Sequence, residues 1–181
     1  MLPPRQAVKA SLPAFFYRLP ARSQRCYLQS NAIDTFAGFA PDHTVMHRLA
    51  ALVDALESGS PREVQNGAGS LMIALCHAFG VSAIRVEVLG VRPHNSRGEL
   101  HGLFRLTRPP EIQLWMRTAQ RHAVVKPRTF VRTLLHELCH YLDYSLLKLD
   151  DSYHTMGFFK RESFLVRALM GAAAEKDDAS A

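Results

Sequence analysis

The chain has 181 residues, 48% of them hydrophobic and 21% charged, which is enough for one domain with its own core. It contains no uninterrupted apolar run of the roughly 18–20 residues that a membrane span needs, and Pro3, Pro4, Arg5 and Lys9 break up any secretory leader. The net charge of +6 leaves room for an acidic partner, and the expected compartment is the cytoplasm.

Residues 1–42 read as an irregular, basic segment. Arg5, Lys9, Arg18, Arg22 and Arg25 precede the first acid, and Pro3, Pro4, Pro13 and Pro20 limit regular structure to a short helix within Ala21 to Phe36. A second basic run comprises Arg117, Arg121, Lys126, Arg128 and Arg132. Such clusters raise the possibility of DNA association, although no helix-turn-helix or aromatic-basic RNA-binding pattern accompanies them. Cys26, Cys76 and Cys139 are spaced too widely for a disulfide framework or a paired-cysteine zinc site, and reduced, buried thiols are expected.

Asp42 is placed as a helix N-cap, and Val45, Leu49, Leu52, Val53 and Leu56 then recur at helical spacing until Ser58-Gly59-Ser60-Pro61. A second helix is expected from about Arg62 to Phe79, closed by Gly80. The period then changes from 3.6 to 2. Ile84, Val86 and Val88 mark a strand, Gly90 to Gly98 a turn region, Leu100 to Leu106 a second strand and Glu111 to Arg117 a third. Pro127 suits the start of a long helix running to about Leu149. A loop over Asp150 to Thr155 and a last helix from about Phe158 to Met170 complete the pattern, and residues 172–181 read as a disordered tail. Helices, a small antiparallel sheet and then more helices define an α+β fold.

The long helix carries His136-Glu137-Leu138-Cys139-His140. Residues four apart on a helix stand one above the other, so His136 and His140 aim two imidazoles at one point. Two histidines at this spacing suit Zn2+, which takes nitrogen ligands at about 2.0–2.1 Å and in catalytic sites keeps a fourth position open for water. Glu137 sits one step round the helix, where it reaches that water as a general base without binding the metal. Val131, Leu134, Leu135, Leu138, Leu142 and Leu149 fall on the opposite stripe, so one face is core and the other free to line a cleft. The third ligand must come from Asp143, Asp150, Asp151, His154 or Glu162. Asp143 lies on the same helix and fits better as a partner to a ligand. The loop length favours His154, with Gly157 permitting a close approach; Glu162 and the two loop aspartates are the alternatives. Tyr141, Tyr144 and Tyr153 flank the motif, and Tyr153 is the foremost of them as a donor to a developing oxyanion. His43 and His47, also four apart, read as surface residues, and the isolated His77, His94, His101 and His122 read as surface or core residues and not as ligands.

His136-Glu137-Leu138-Cys139-His140, followed by His154-Thr155-Met156-Gly157-Phe158-Phe159, resembles the SprT-like zincins, a family that includes the Spartan group, over roughly Glu111 to Leu169. The resemblance implies a zincin-like metallopeptidase domain over residues 43–171. It implies His136, His140 and His154 as zinc ligands, Glu137 as catalytic base and a protein or peptide as substrate. It also implies a cleft edge, formed by the strand before the active helix, that pairs with extended substrate; Glu111–Arg117 holds that position. The four-cysteine ribbon that often follows this protease core is not in the sequence, so DNA binding is not implied through it. A metal-bound module that binds nucleic acid or protein with little proteolysis is the alternative reading.

Overall fold

In the computed structural model, which describes residues 12–96 and 98–171, the α+β expectation is met. Both the assigned tail and the start of the basic segment lie outside these residues. Helix α1 (Ala21–Ala32) is the short helix expected within Ala21 to Phe36. Asp42 caps α2 (His43–Ser58), its carboxylate accepting from the Val45 N–H at 2.8 Å. Ser60 caps α3 (Pro61–Ala78), and the two-residue connection folds α3 back along α2. Val45, Leu49, Leu52 and Leu56 pack with Val64, Ala68, Leu71 and Leu75 in one core cluster.

The strands are β1 (Arg85–Val91), β2 (His94–Asn95), β3 (Gly98–Glu99), β4 (Gly102–Arg105) and β5 (Glu111–Arg117). β2 and β3 make a small separate hairpin within the expected turn region. The main sheet has the order β1-β5-β4 and is mixed, which corrects the expected antiparallel sheet. β5 runs parallel to β1, with Val86 opposite Ile112 and Val88 opposite Leu114, and antiparallel to β4, with Phe104 opposite Ile112. Parallel partners need a long crossover, and the excursion through β2, β3 and β4 supplies it. Side-chain alternation does not encode strand direction, so the sequence pattern was equally compatible with either arrangement. Ile112, Leu114 and Met116 of the central strand are fully buried.

Helix α4 (Pro127–Ser145) lies against this sheet with Phe130, Val131, Leu134, Leu135, Leu138 and Leu142 inward. It ends four residues before the expected Leu149. The Leu147 N–H bonds back to the Leu142 carbonyl, Lys148 takes a left-handed φ of 56°, and the Leu149 N–H returns to the Asp143 carbonyl at 2.9 Å. Leu149 is buried all the same, but by this reversal and not by the helix stripe. Helix α5 (Met156–Met170) starts two residues early because the Thr155 hydroxyl accepts from the Phe158 N–H. Gly157 sits where the start of α5 meets the end of α1. A Cβ there would overlap the Ser30 carbonyl and lie 2.8 Å from those of Asn31 and Ile33, so only glycine allows the approach. All three cysteines are free and buried, as expected.

Candidate metal centre

His136 and His140 lie one turn apart on α4 with ring centroids 5.0 Å apart. The reversal after α4 brings His154 to them from the following loop. Its Nε2 is 3.0 Å from the Nε2 of His136 and 3.0 Å from that of His140. Buried Phe158 forms the floor, its ring centroid 5.0, 4.6 and 5.0 Å from those of His136, His140 and His154. The three histidines could hold a metal ion.

The opposite ring nitrogens fix the tautomers. His136 Nδ1 is 3.0 Å from Glu162 Oε2, and Glu162 also accepts from Arg132 Nε at 3.0 Å. A carboxylate only accepts, so His136 Nδ1 carries a proton, and in the neutral ring the Nε2 lone pair is left for a metal. His140 Nδ1 is 2.7 Å from Ser152 Oγ, whose single proton goes to Asp143 Oδ2 at 2.7 Å. Ser152 therefore accepts from His140, and the Nε2 of His140 is bare as well. Asp143 in turn takes a charge-assisted bond from Arg161 Nη2 at 2.8 Å. Two lone pairs thus point at a third imidazole nitrogen with one proton at most to share, which is the donor set a cation satisfies.

Burial, then neighbouring His136 and His154, push His140 down to about 3. Burial and His136 lower His154 likewise. Both are therefore neutral at pH 7, the state in which imidazole binds metals. Burial alone would raise Glu162, but hydrogen bonds from His136 and Arg132 bring it below the ordinary range.

Glu137 is 6% exposed and stands between two contiguous clefts of about 330 Å³ each. One is lined by His101, Thr129, Arg132 and Thr133, the other by Leu103, Phe104, Tyr144 and His154. Burial raises the Glu137 carboxyl, partly offset by His136 and by a hydrogen bond from the Phe104 backbone. A buried carboxylate of raised pKa is suited to take and return a proton near neutral pH. Gly102 faces it so closely that a Cβ there would lie 2.7 Å from Glu137 Oε1. The strand bordering the cleft is therefore β4, at the sheet edge. β5, expected in that role, is the central strand, paired on both sides.

The remaining sequence candidates separate cleanly. Glu162 and Asp143 contact the histidine system from outside, through His136 and through Ser152. Asp150 pairs with Arg22 at 2.6 Å, and Asp151 accepts from the Tyr144 hydroxyl and the Ser152 N–H. Tyr153 packs on Tyr27 of α1, away from the cleft, and the Tyr141 hydroxyl bonds the Ser82 carbonyl. Tyr144 is the tyrosine that lines the cleft, and burial with the Asp151 bond pushes it up to about 12, so it stays protonated. Cys139 is fully buried in the core. His101 borders the cleft but is not among the three grouped histidines. Sequence reasoning missed Ser152, Arg161, Arg132 and Gly102. Only Arg132 carried a signal, standing four residues before His136 on the same helix face.

The molecule is thus an α+β protein with a three-histidine group beside a buried glutamate. No family model matches the chain, and neither the curated proteins nor the solved structures contain a match. Among the described residues no helix is long and apolar enough to cross a membrane.

Proposed function

We propose that the protein is a zinc metallopeptidase of the SprT-like kind, with His136, His140 and His154 holding Zn2+ and Glu137 as general base. The observation that carries this reading is the convergence of the three Nε2 atoms, with Nδ1 of His136 and of His140 engaged by Glu162 and Ser152. Bound zinc would supply Lewis acidity to a water and to a scissile carbonyl. The Glu137 carboxylate takes the proton of the attacking water and returns it to the leaving amine. Its burial among Gly102, Thr133 and the Phe104 backbone holds it in one place for both transfers. Among the described residues the outer edge of β4 has no strand partner in its sheet, and an extended peptide can add to it alongside Glu137. Tyr144 lines the cleft wall with its hydroxyl donating to Asp151, and it would serve the substrate carbonyl only by exchanging that partner.

Zinc measured by mass spectrometry per mole of purified protein tests the site. About one zinc is expected in wild type, none in His154→Ala, and a reduced but measurable amount in Glu162→Ala. Glu137→Gln should keep its zinc and lose about 100-fold or more of its cleavage rate on unfolded protein. Wild type without zinc after loading, or a Glu137→Gln variant as fast as wild type, would overturn the reading.

A further inference from the structure

Arg161 is fully buried, and the hydrogen bonds of its guanidinium join two distant parts of the molecule. On one side Nη1 donates to the carbonyls of Ser30, at 2.8 Å, and Ile33, at 2.5 Å, and Nη2 donates to Ser30 Oγ at 3.0 Å; these groups end α1. On the other, Nη2 donates to Asp143 Oδ1 at 2.8 Å. Asp143 takes the Ser152 proton, and Ser152 accepts from His140 Nδ1. An unbroken chain of hydrogen bonds therefore runs from the end of α1 to a histidine of the candidate centre. A parallel set ties α1 to the loop that carries His154. Cys26 Sγ lies 3.3 Å from the Asp151 carbonyl, Ser30 Oγ 3.2 Å from Thr155 Oγ1, and Arg22 forks onto Asp150.

We infer that Arg161 is a positioning residue for the metal site, and that α1 is the clasp that sets its affinity by seating His140 and the His154 loop. This rests on the metal-site reading above. None of the residues in the chain other than His140 touches the ion. Arg161 orients Asp143, Asp143 fixes the Ser152 hydroxyl, and Ser152 fixes the ring plane and tautomer of His140. The carbonyls of Ser30 and Ile33 hold the guanidinium through Nη1, and Ser30 Oγ and Asp143 hold it through Nη2, while the buried Nε has no hydrogen-bond partner.

The test is zinc affinity by competition with a chromogenic chelator, with the visible spectrum of the Co2+-loaded protein and the melting temperature of the metal-free protein measured in parallel. Arg161→Lys and Ser152→Ala, which leave all three histidines in place, should each weaken zinc about ten-fold or more. Each should also shift the Co2+ bands. The double variant should lose less than the product of the two single losses, because both act through one chain. Losses that multiply as independent effects would overturn the inference. So would an Arg161→Lys protein with a lower melting temperature but unchanged zinc affinity and Co2+ spectrum. If Arg161→Lys does not fold, Ser30→Ala interrogates the same end of the chain: weakened zinc supports the clasp, unchanged affinity refutes it. A wild-type protein that binds no zinc removes both readings, whereas tight wild-type binding with indifferent variants removes this one alone.

Discussion

Gly102 and Glu137 show how much a single side chain decides here. A methyl group at position 102 would lie 2.7 Å from Glu137 Oε1 and 2.7 Å from Thr133 Cγ2. Either the carboxylate or the whole edge strand must move to admit it. No histidine atom is among the nearest that a Cβ at 102 would meet, so on the proposed metallopeptidase reading Gly102→Ala should keep its metal and lose on the order of 100-fold in cleavage rate. Steady-state kinetics beside a zinc determination check this, and an undiminished rate would mean that Glu137 is not held by β4. At this scale the sequence was informative where chemistry depends on spacing along one helix. His136, Glu137 and His140 were legible from their period, and Asp143 from its place three residues beyond His140. Glu162 as a partner of His136 was not, because 26 residues and a chain reversal separate the two.

At the scale of elements, α4 buries the rear of its histidines while the loop after it supplies the third. That burial has a consequence for pH. In the metal-free protein His140 takes a proton in the unfolded chain near the ordinary value of 6.5 but in the folded chain only near about 3. The unfolded state therefore binds more protons throughout that window, and folding stability falls as pH drops from 6.5 towards 3. His154, lowered from 6.5 in the same direction, adds to the fall. Denaturant unfolding of the chelator-treated protein at pH 7 and pH 5 should show lower stability at pH 5. His140→Gln should flatten the difference, and an unchanged slope in that variant would place the proton uptake elsewhere. Elements also mark the limit of pattern reading. The 3.6 period found α2 and α3 nearly to the residue, yet it extended α4 to Leu149, which is buried after a left-handed turn at Lys148.

For the whole molecule, the site closes a circuit in the chain. Helix α1 holds the His154 loop, α5 supplies Phe158, Arg161 and Glu162, and α4 supplies the paired histidines. A ligand that binds only the folded circuit stabilises it by mass action, about 4 kcal/mol at a thousand times its dissociation constant. Removing zinc with a chelator should therefore lower the melting temperature by on the order of 10 °C for a chain of this size. His154→Ala should melt at the same temperature with and without the chelator. Calorimetry of both proteins decides it, and a wild-type midpoint indifferent to chelation would speak against a metal bound by the native state. The described part of the basic leading segment does not lie across the cleft: α1 packs behind the His154 loop, and no residue of 12–42 lines either cavity beside Glu137.

The sequence by itself determined the element types, the helix carrying the two histidines and the glutamate, and the preference for His154 as their companion. All of these depend on local periodicity, capping chemistry or loop reach, which a linear pattern records. Tertiary structure alone decided that β5 is central and parallel to β1, that β4 forms the cleft edge, and that Glu162, Ser152, Asp143 and Arg161 orient the imidazoles. Strand direction leaves no mark on side-chain alternation. A buried hydrogen-bond chain joins residues as far apart as Ser30 and Arg161, whose proximity comes from packing and not from spacing.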